Sequence, residues 1–140
     1  MLTDREGRVA HLNSLVGKPY RLGAAGPDCF DCYGISRHLQ REFFGRDCPL
    51  FEMPGQAGRI AIASAIALHP FRSKWVEVQG PADGCAVSMA KQDIGYHLGT
   101  YLSLDGGIIV HAVEDSGVTV DTIFAMKAMG WRRFRFLAPA

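Results

Sequence analysis

The apolar pattern of this chain changes period partway along, and that change limits the folds open to it. Up to His69-Pro70 the apolar residues recur at helical spacing, as in helices with one buried face. Beyond Pro70 they alternate, which is the period of strands. Helices first and strands afterwards imply an α+β fold with an antiparallel sheet. Thr3 to Leu15 reads as a helix, with Thr3 and Glu6 as a capping box and Val9, Leu12, Leu15 and Val16 as its stripe. Gly17-Lys18-Pro19 stops it, and Tyr20 to Pro27 is a glycine-rich loop. A second helix is predicted over Asp31 to Phe44, with Ile35, Leu39 and Phe43 inward and Gly45 as its stop. Arg46 to Gly55 is a connection, and an alanine-rich third helix is predicted over Gln56 to Leu68, ended by His69-Pro70. Strands are expected at Trp75 to Val78, Cys85 to Met89, Tyr96 to Leu104, Gly107 to Val113, Val118 to Ile123 and Arg133 to Leu137. Asp105-Gly106-Gly107 supplies a hairpin turn between two of them.

No repeat or long linker divides the 140 residues, so one domain over 1–140 is expected. A formal net charge of +1 gives no global field toward nucleic acid or an anionic membrane. Arg132, Arg133 and Arg135 fit a solvated strand edge better than a phosphate site. The longest apolar run, Ile60 to Leu68, is too short to span a bilayer. Met1 to Val16 is charged and unlike a signal peptide, so synthesis in a reducing cytosol is expected, where disulfides do not persist.

Cys32, in Phe30-Asp31-Cys32-Tyr33-Gly34, follows a turn and opens a helix. Free N–H groups and the positive dipole end at such a place stabilise a thiolate. Gly34 is expected to leave space beside it. A cysteine within a helix is otherwise a small buried apolar residue, and position alone leaves both readings open. Cys29 and Cys32 also form a Cys-x-x-Cys pair, a spacing used by zinc and by redox dithiols. Zinc would need a second pair, and Cys48 and Cys85 stand apart.

Of five histidines, His11, His38 and His69 sit where structural roles suffice. His97 opens a strand, on the face that carries Gly99 and Tyr101. His111 follows on the next strand, and a turn at residues 105 to 106 sets it opposite about residue 100. The two imidazoles then meet on one face, provided the register holds to a single residue. A thiol that attacks, an imidazole that takes its proton and a polar residue that fixes the imidazole tautomer make a nucleophilic site. His111 can serve as a neutral acceptor. The Cys32 N–H and a nearby hydroxyl can serve an oxyanion.

The ordered set Gly17-x-Pro19-Tyr20-x-x-Gly23, Phe30-Asp31-Cys32-x-Gly34, His97-x-Gly99-x-Tyr101 and His111-Ala112 resembles the NlpC-type (NlpC/p-sixty) cell-wall cysteine peptidases. The resemblance spans residues 17 to 112 and implies a papain-like fold, with the cysteine-bearing helix packed on an antiparallel sheet. It implies Cys32 as nucleophile, His97 as base and His111 as orienting residue, with no metal and no cofactor. It places Tyr20 by the oxyanion site and Asp31 in the substrate site. The implied substrate is the peptidoglycan stem peptide, cut between γ-D-glutamate and the diamino acid. Tyr33 stands where a serine is usual and Ala24 where a glycine is usual, both expected beside the substrate groove. The Asp-Cys-aromatic-Gly form and the Gly130-Trp131-Arg132-Arg133-Phe134 end are similar to the subgroup found in phage tails and gene transfer agents. That implies assembly with other tail proteins into a particle that opens the wall during DNA delivery. An inactive tail-tip protein and an amidase or acyltransferase are the alternatives on the same scaffold.

Overall fold

The structure is a computed structural model and describes residues 1–48, 74–91 and 97–140. The helix predicted over Gln56 to Leu68, its end at His69-Pro70, and Tyr96 lie outside the described residues. Helix α1 covers Arg5–Leu15 and helix α2 covers Cys32–Phe44. The strands are β1 (Trp75–Val78), β2 (Ala86–Ala90), β3 (His97–Leu102), β4 (Ile108–Val113), β5 (Gly117–Asp121) and β6 (Arg132–Pro139). A short helix, α3 (Ile123–Ala128), separates β5 from β6.

Among the described residues the strands form one antiparallel sheet in the order β1-β6-β2-β3-β4-β5. The helices-then-sheet order read from the sequence is therefore the architecture found. Helix α2 packs on β3 and β4. Its inward residues Ile35, Leu39 and Phe43 are fully buried, together with Leu102, Val110 and Ala112 from the sheet. Burial of each such side chain contributes about 1.5–3 kcal/mol. The other sheet face carries Val87, Met89 and Ile109, covered by Met126 of α3 and by Trp131. Alternation along each strand thus splits the sheet into a helix-facing and an α3-facing side.

Three local expectations change. The cap of α1 is Asp4, whose carboxylate accepts from the Gly7 N–H, and not Thr3; an acidic group suits the positive helix end better than a hydroxyl. The strand expected to reach Ile123 stops at Asp121, because Thr122 turns the chain and caps α3 through the Ala125 N–H. The third concerns Gly34. A Cβ there would overlap the Ala24 carbonyl oxygen, so Gly34 lets the loop before α2 lie against the helix rather than opening space.

The β3–β4 hairpin fixes the register on which the site depends. Asp105 and Gly106 have φ of 50° and 84°, and Gly107 N–H returns to the Leu104 carbonyl. Two consecutive positive φ values at the turn centre are those of a type I′ turn, which suits the twist of the flanking strands. The ladder pairs Thr100 with Val110, one residue off the expected pairing of His111 with about residue 100, so a residue is left over near the turn, where Gly107 also has a positive φ of 111°. The shift puts His111 level with Gly99, one residue past the last pair, on the face of His97. His97 is two residues further along the same face.

Candidate active site

The loop that presents Cys32 is folded back on itself. Phe30, with no exposed surface, bridges to both Tyr20 and Ala25, and its N–H donates to the Pro19 carbonyl. Asp31 caps α2: its Oδ1 accepts from the Gly34 N–H at 2.6 Å and its Oδ2 from the Gly23 N–H at 2.8 Å. One carboxylate thus ties the loop to the helix start. Burial holds the Asp31 carboxyl above the usual carboxylate range, against the pull of those N–H groups. Asp31 is 4% exposed, so its place is at the foundation of the site rather than along an open groove.

Cys32 is the first residue of α2, as expected, and is buried together with Leu98 of β3. The thiol is therefore packed against the residue that follows His97. Burial pushes the thiol up to about 12, with Asp31 adding to the rise, against the N–H groups of Leu98, Tyr33 and Cys32 itself. The helix end acts in the direction the sequence suggested, but desolvation is the larger effect. The resting group is a neutral thiol, where the sequence led us to expect a thiolate.

Tyr20 is half-buried, and burial followed by the proximity of Cys32 raises its phenol above the ordinary value. It therefore keeps its proton and can act as a hydrogen-bond donor. Tyr33 is placed differently from the expectation of a groove residue. It is buried with Cys48, Ala86, Leu98 and Leu137 between α2 and the sheet. One residue past Cys32 a helix has turned by about 100°, which carries Tyr33 toward the sheet.

His97 and His111 meet in the register found: His97 Nε2 lies 2.8 Å from His111 Nδ1. The second nitrogen of His111, Nε2, lies 2.8 Å from Asp121 Oδ2 on β5. On the other side, the His97 ring stacks on the Trp131 indole, centroids 4.6 Å apart and planes 22° from parallel. Burial pulls His97 down to about 3, and His111 and Lys91 add to the fall. Burial also lowers His111, while its bond to Asp121 acts the other way. Thiol and imidazole are thus both held neutral; Cys32 packs with Leu98, while the His97 ring meets His111 and Trp131 on the side of the sheet that α3 covers.

Asp121 and Trp131 were not singled out as site residues from the sequence. Asp121 shares the parity of His111's pairing partner Thr119, so a three-strand register would have found it. Trp131 reaches His97 only because β6 lies next to β2, a pairing that no local pattern encodes.

Among the described residues no three potential metal ligands gather, and all four cysteines are free. No described helix is long and apolar enough to cross a membrane.

A helix that opens on a cysteine and packs on an antiparallel sheet carrying paired histidines defines a papain-like arrangement. The chain matches no protein-family profile. No curated protein matches it either. Among solved structures it is similar to the NlpC/p60 domain of the peptidoglycan hydrolase SagA, with a TM-score of 0.55 and 21% identity. That likeness covers 91% of this chain and 93% of the other, and it establishes the fold: papain-like, of the NlpC/p60 kind.

Proposed function

We propose that the protein is a cysteine peptidase that hydrolyses peptidoglycan stem peptides, at the bond between γ-D-glutamate and the diamino acid. The observation that carries this reading is the His97–His111 pair at 2.8 Å, with His97 next in sequence to Leu98, against which Cys32 is buried. Support for the substrate class comes from the NlpC/p60 fold shared with a peptidoglycan hydrolase domain and from the ordered motifs of residues 17 to 112.

In this reading His97 takes the thiol proton as sulfur attacks the scissile carbonyl. The oxyanion receives the Cys32 N–H and the Tyr20 hydroxyl. The C–N bond breaks, the imidazolium returns the proton to the leaving amine, and a thioester remains. Water, deprotonated by His97, attacks the thioester and releases the carboxylate and the thiol. Proton transfer is concerted with attack, because neither Cys32 nor His97 is charged beforehand.

The placement in a phage or gene-transfer-agent tail, after synthesis in a bacterial cytoplasm, rests on the Asp31-Cys32-Tyr33-Gly34 and Gly130–Phe134 segments. Other tail proteins would then be its partners, and the whole of 1–140 a single peptidase domain. Mass spectrometry of purified particles tests this, and absence of the chain from them removes it.

Digestion of purified muropeptides with wild type and Cys32→Ala tests the activity. Cleavage at the γ-D-glutamyl bond by wild type alone is expected. The 7% exposure of Cys32 favours a second reading, a tail protein that keeps the fold without turnover. No cleavage by a folded, particle-bound protein would establish that one instead.

A further inference from the structure

Three side chains cross the sheet in a diagonal. His97 lies two residues along β3 from the neighbour of His111, and Asp121 lies two residues along β5 from Thr119, the partner of His111. Both steps run the same way over one face, where diagonal neighbours are within reach of long side chains. The result is a hydrogen-bonded chain, Asp121–His111–His97, with 2.8 Å at each link. His111 in its middle is 1% exposed, and the Asp121 side chain is 22% exposed at the solvent end.

We propose that Asp121 is a positioning residue of the peptidase site: its carboxylate fixes which nitrogen carries the proton on His111, and through His111 on His97. The inference rests on the reading of His97 as the base. A carboxylate can only accept, so His111 Nε2 must hold its proton toward Asp121. Neutral His111 then has a bare Nδ1, which can only accept from His97 Nε2–H. Neutral His97 is left with its lone pair on Nδ1, the nitrogen not tied to His111. The reverse proton pattern would set a carboxylate against a lone pair in a dry site, where an unmade bond is costly.

The same chain acts on charge. When His97 takes a proton it becomes a cation next to two other groups. Trp131 offers its π face to it, and Lys91, whose Nζ lies 5.1 Å from the Trp131 ring centre, opposes it. Asp121 is the negative charge on the opposite side, connected through His111. Its removal leaves Lys91 unopposed and disfavours the imidazolium.

The experiment combines Asp121→Ala, Asp121→Glu and wild type, with Asp121→Asn as a size-matched fallback should the alanine variant fail to fold. Ring ¹⁵N shifts of His97 and His111 report the proton positions without any need for turnover. Wild type is expected to carry both protons on Nε2, and the alanine variant to lose that order at His111. In muropeptide cleavage, kcat is expected to fall by at least about tenfold, short of the 10²–10⁴ a general base itself supplies, with KM little changed. The acid limb of kcat/KM is expected to move to lower pH, since a negative charge that favours His97 protonation has gone. The glutamate variant should recover part of both effects. A structural role alone would lower the folded fraction and leave limb and proton positions in place. Unchanged ¹⁵N patterns in a folded variant overturn the proposal. If wild type cleaves nothing, the peptidase reading fails while the ¹⁵N result still decides the role of Asp121.

Discussion

Cys32 sits between opposing influences that can be separated by substitution. The backbone N–H groups of Leu98, Tyr33 and Cys32 favour its thiolate, while burial and the Asp31 charge disfavour it. At neutral pH an alkylating agent is therefore expected to modify the half-exposed Cys29 before Cys32, by peptide mass spectrometry. Asp31→Asn keeps a good helix cap but removes the charge. It should speed Cys32 alkylation at fixed pH; an unchanged or slower rate would contradict the assigned cause. The positions Cys32, His97 and His111 were legible in the sequence because each lies in a local pattern: a helix start, a strand start, a strand after a hairpin. Their charge states were not, since burial is set by α2, the sheet and Trp131 together. Asp31 and Tyr33 were legible as neighbours of the cysteine, while their inward placement was not.

At the scale of elements, the contact between α2 and the preceding loop depends on Gly34. An added methyl would meet the Ala24 carbonyl, which also accepts the Asp31 N–H at 2.9 Å. Gly34→Ala is expected to cost about 1–3 kcal/mol, the usual range for overpacking. A urea midpoint shift checks this, and Cys32 accessibility should change with it. The β3–β4 hairpin was legible because Asp-Gly at the tip is a turn signal. Its register was not: Thr100 pairs with Val110 rather than with His111, and that one-residue shift is what brings the histidines to one face. Helix α3 was not: six residues give too little pattern to distinguish a helix from the end of a strand, and Ile123 continued the alternation of β5. The sheet order was not legible either, because β6 enters beside β2 through contacts far apart in the sequence.

For the molecule as a whole, buried histidines set how stability follows pH. His97 is pulled to about 3 from 6.5, and burial also lowers His111 and His38. On unfolding these groups take up protons near 6.5, so in the interval below that value the unfolded chain binds more protons than the fold does. Stability is therefore complete above this range and falls as pH drops through it. At the alkaline end the sign reverses: Cys32 rises from 9.0 to about 12, so stability falls as pH climbs past the unfolded value. Thermal midpoints should decline both from about pH 7 to 5 and above about pH 9. A midpoint that stays level on the acid side would show that the histidines are not held neutral.

The strand order also has a consequence for biosynthesis. β6, made last among the described strands, lies between β1 and β2, which are made before the two histidines. A growing chain can form the β3–β4 hairpin early, because its contacts are local. It cannot join β1 to the rest of the sheet, or set Trp131 against His97, until residues 131 to 139 have emerged. One side of the His97 ring thus stays uncovered until residue 131 and the strand that follows it have emerged.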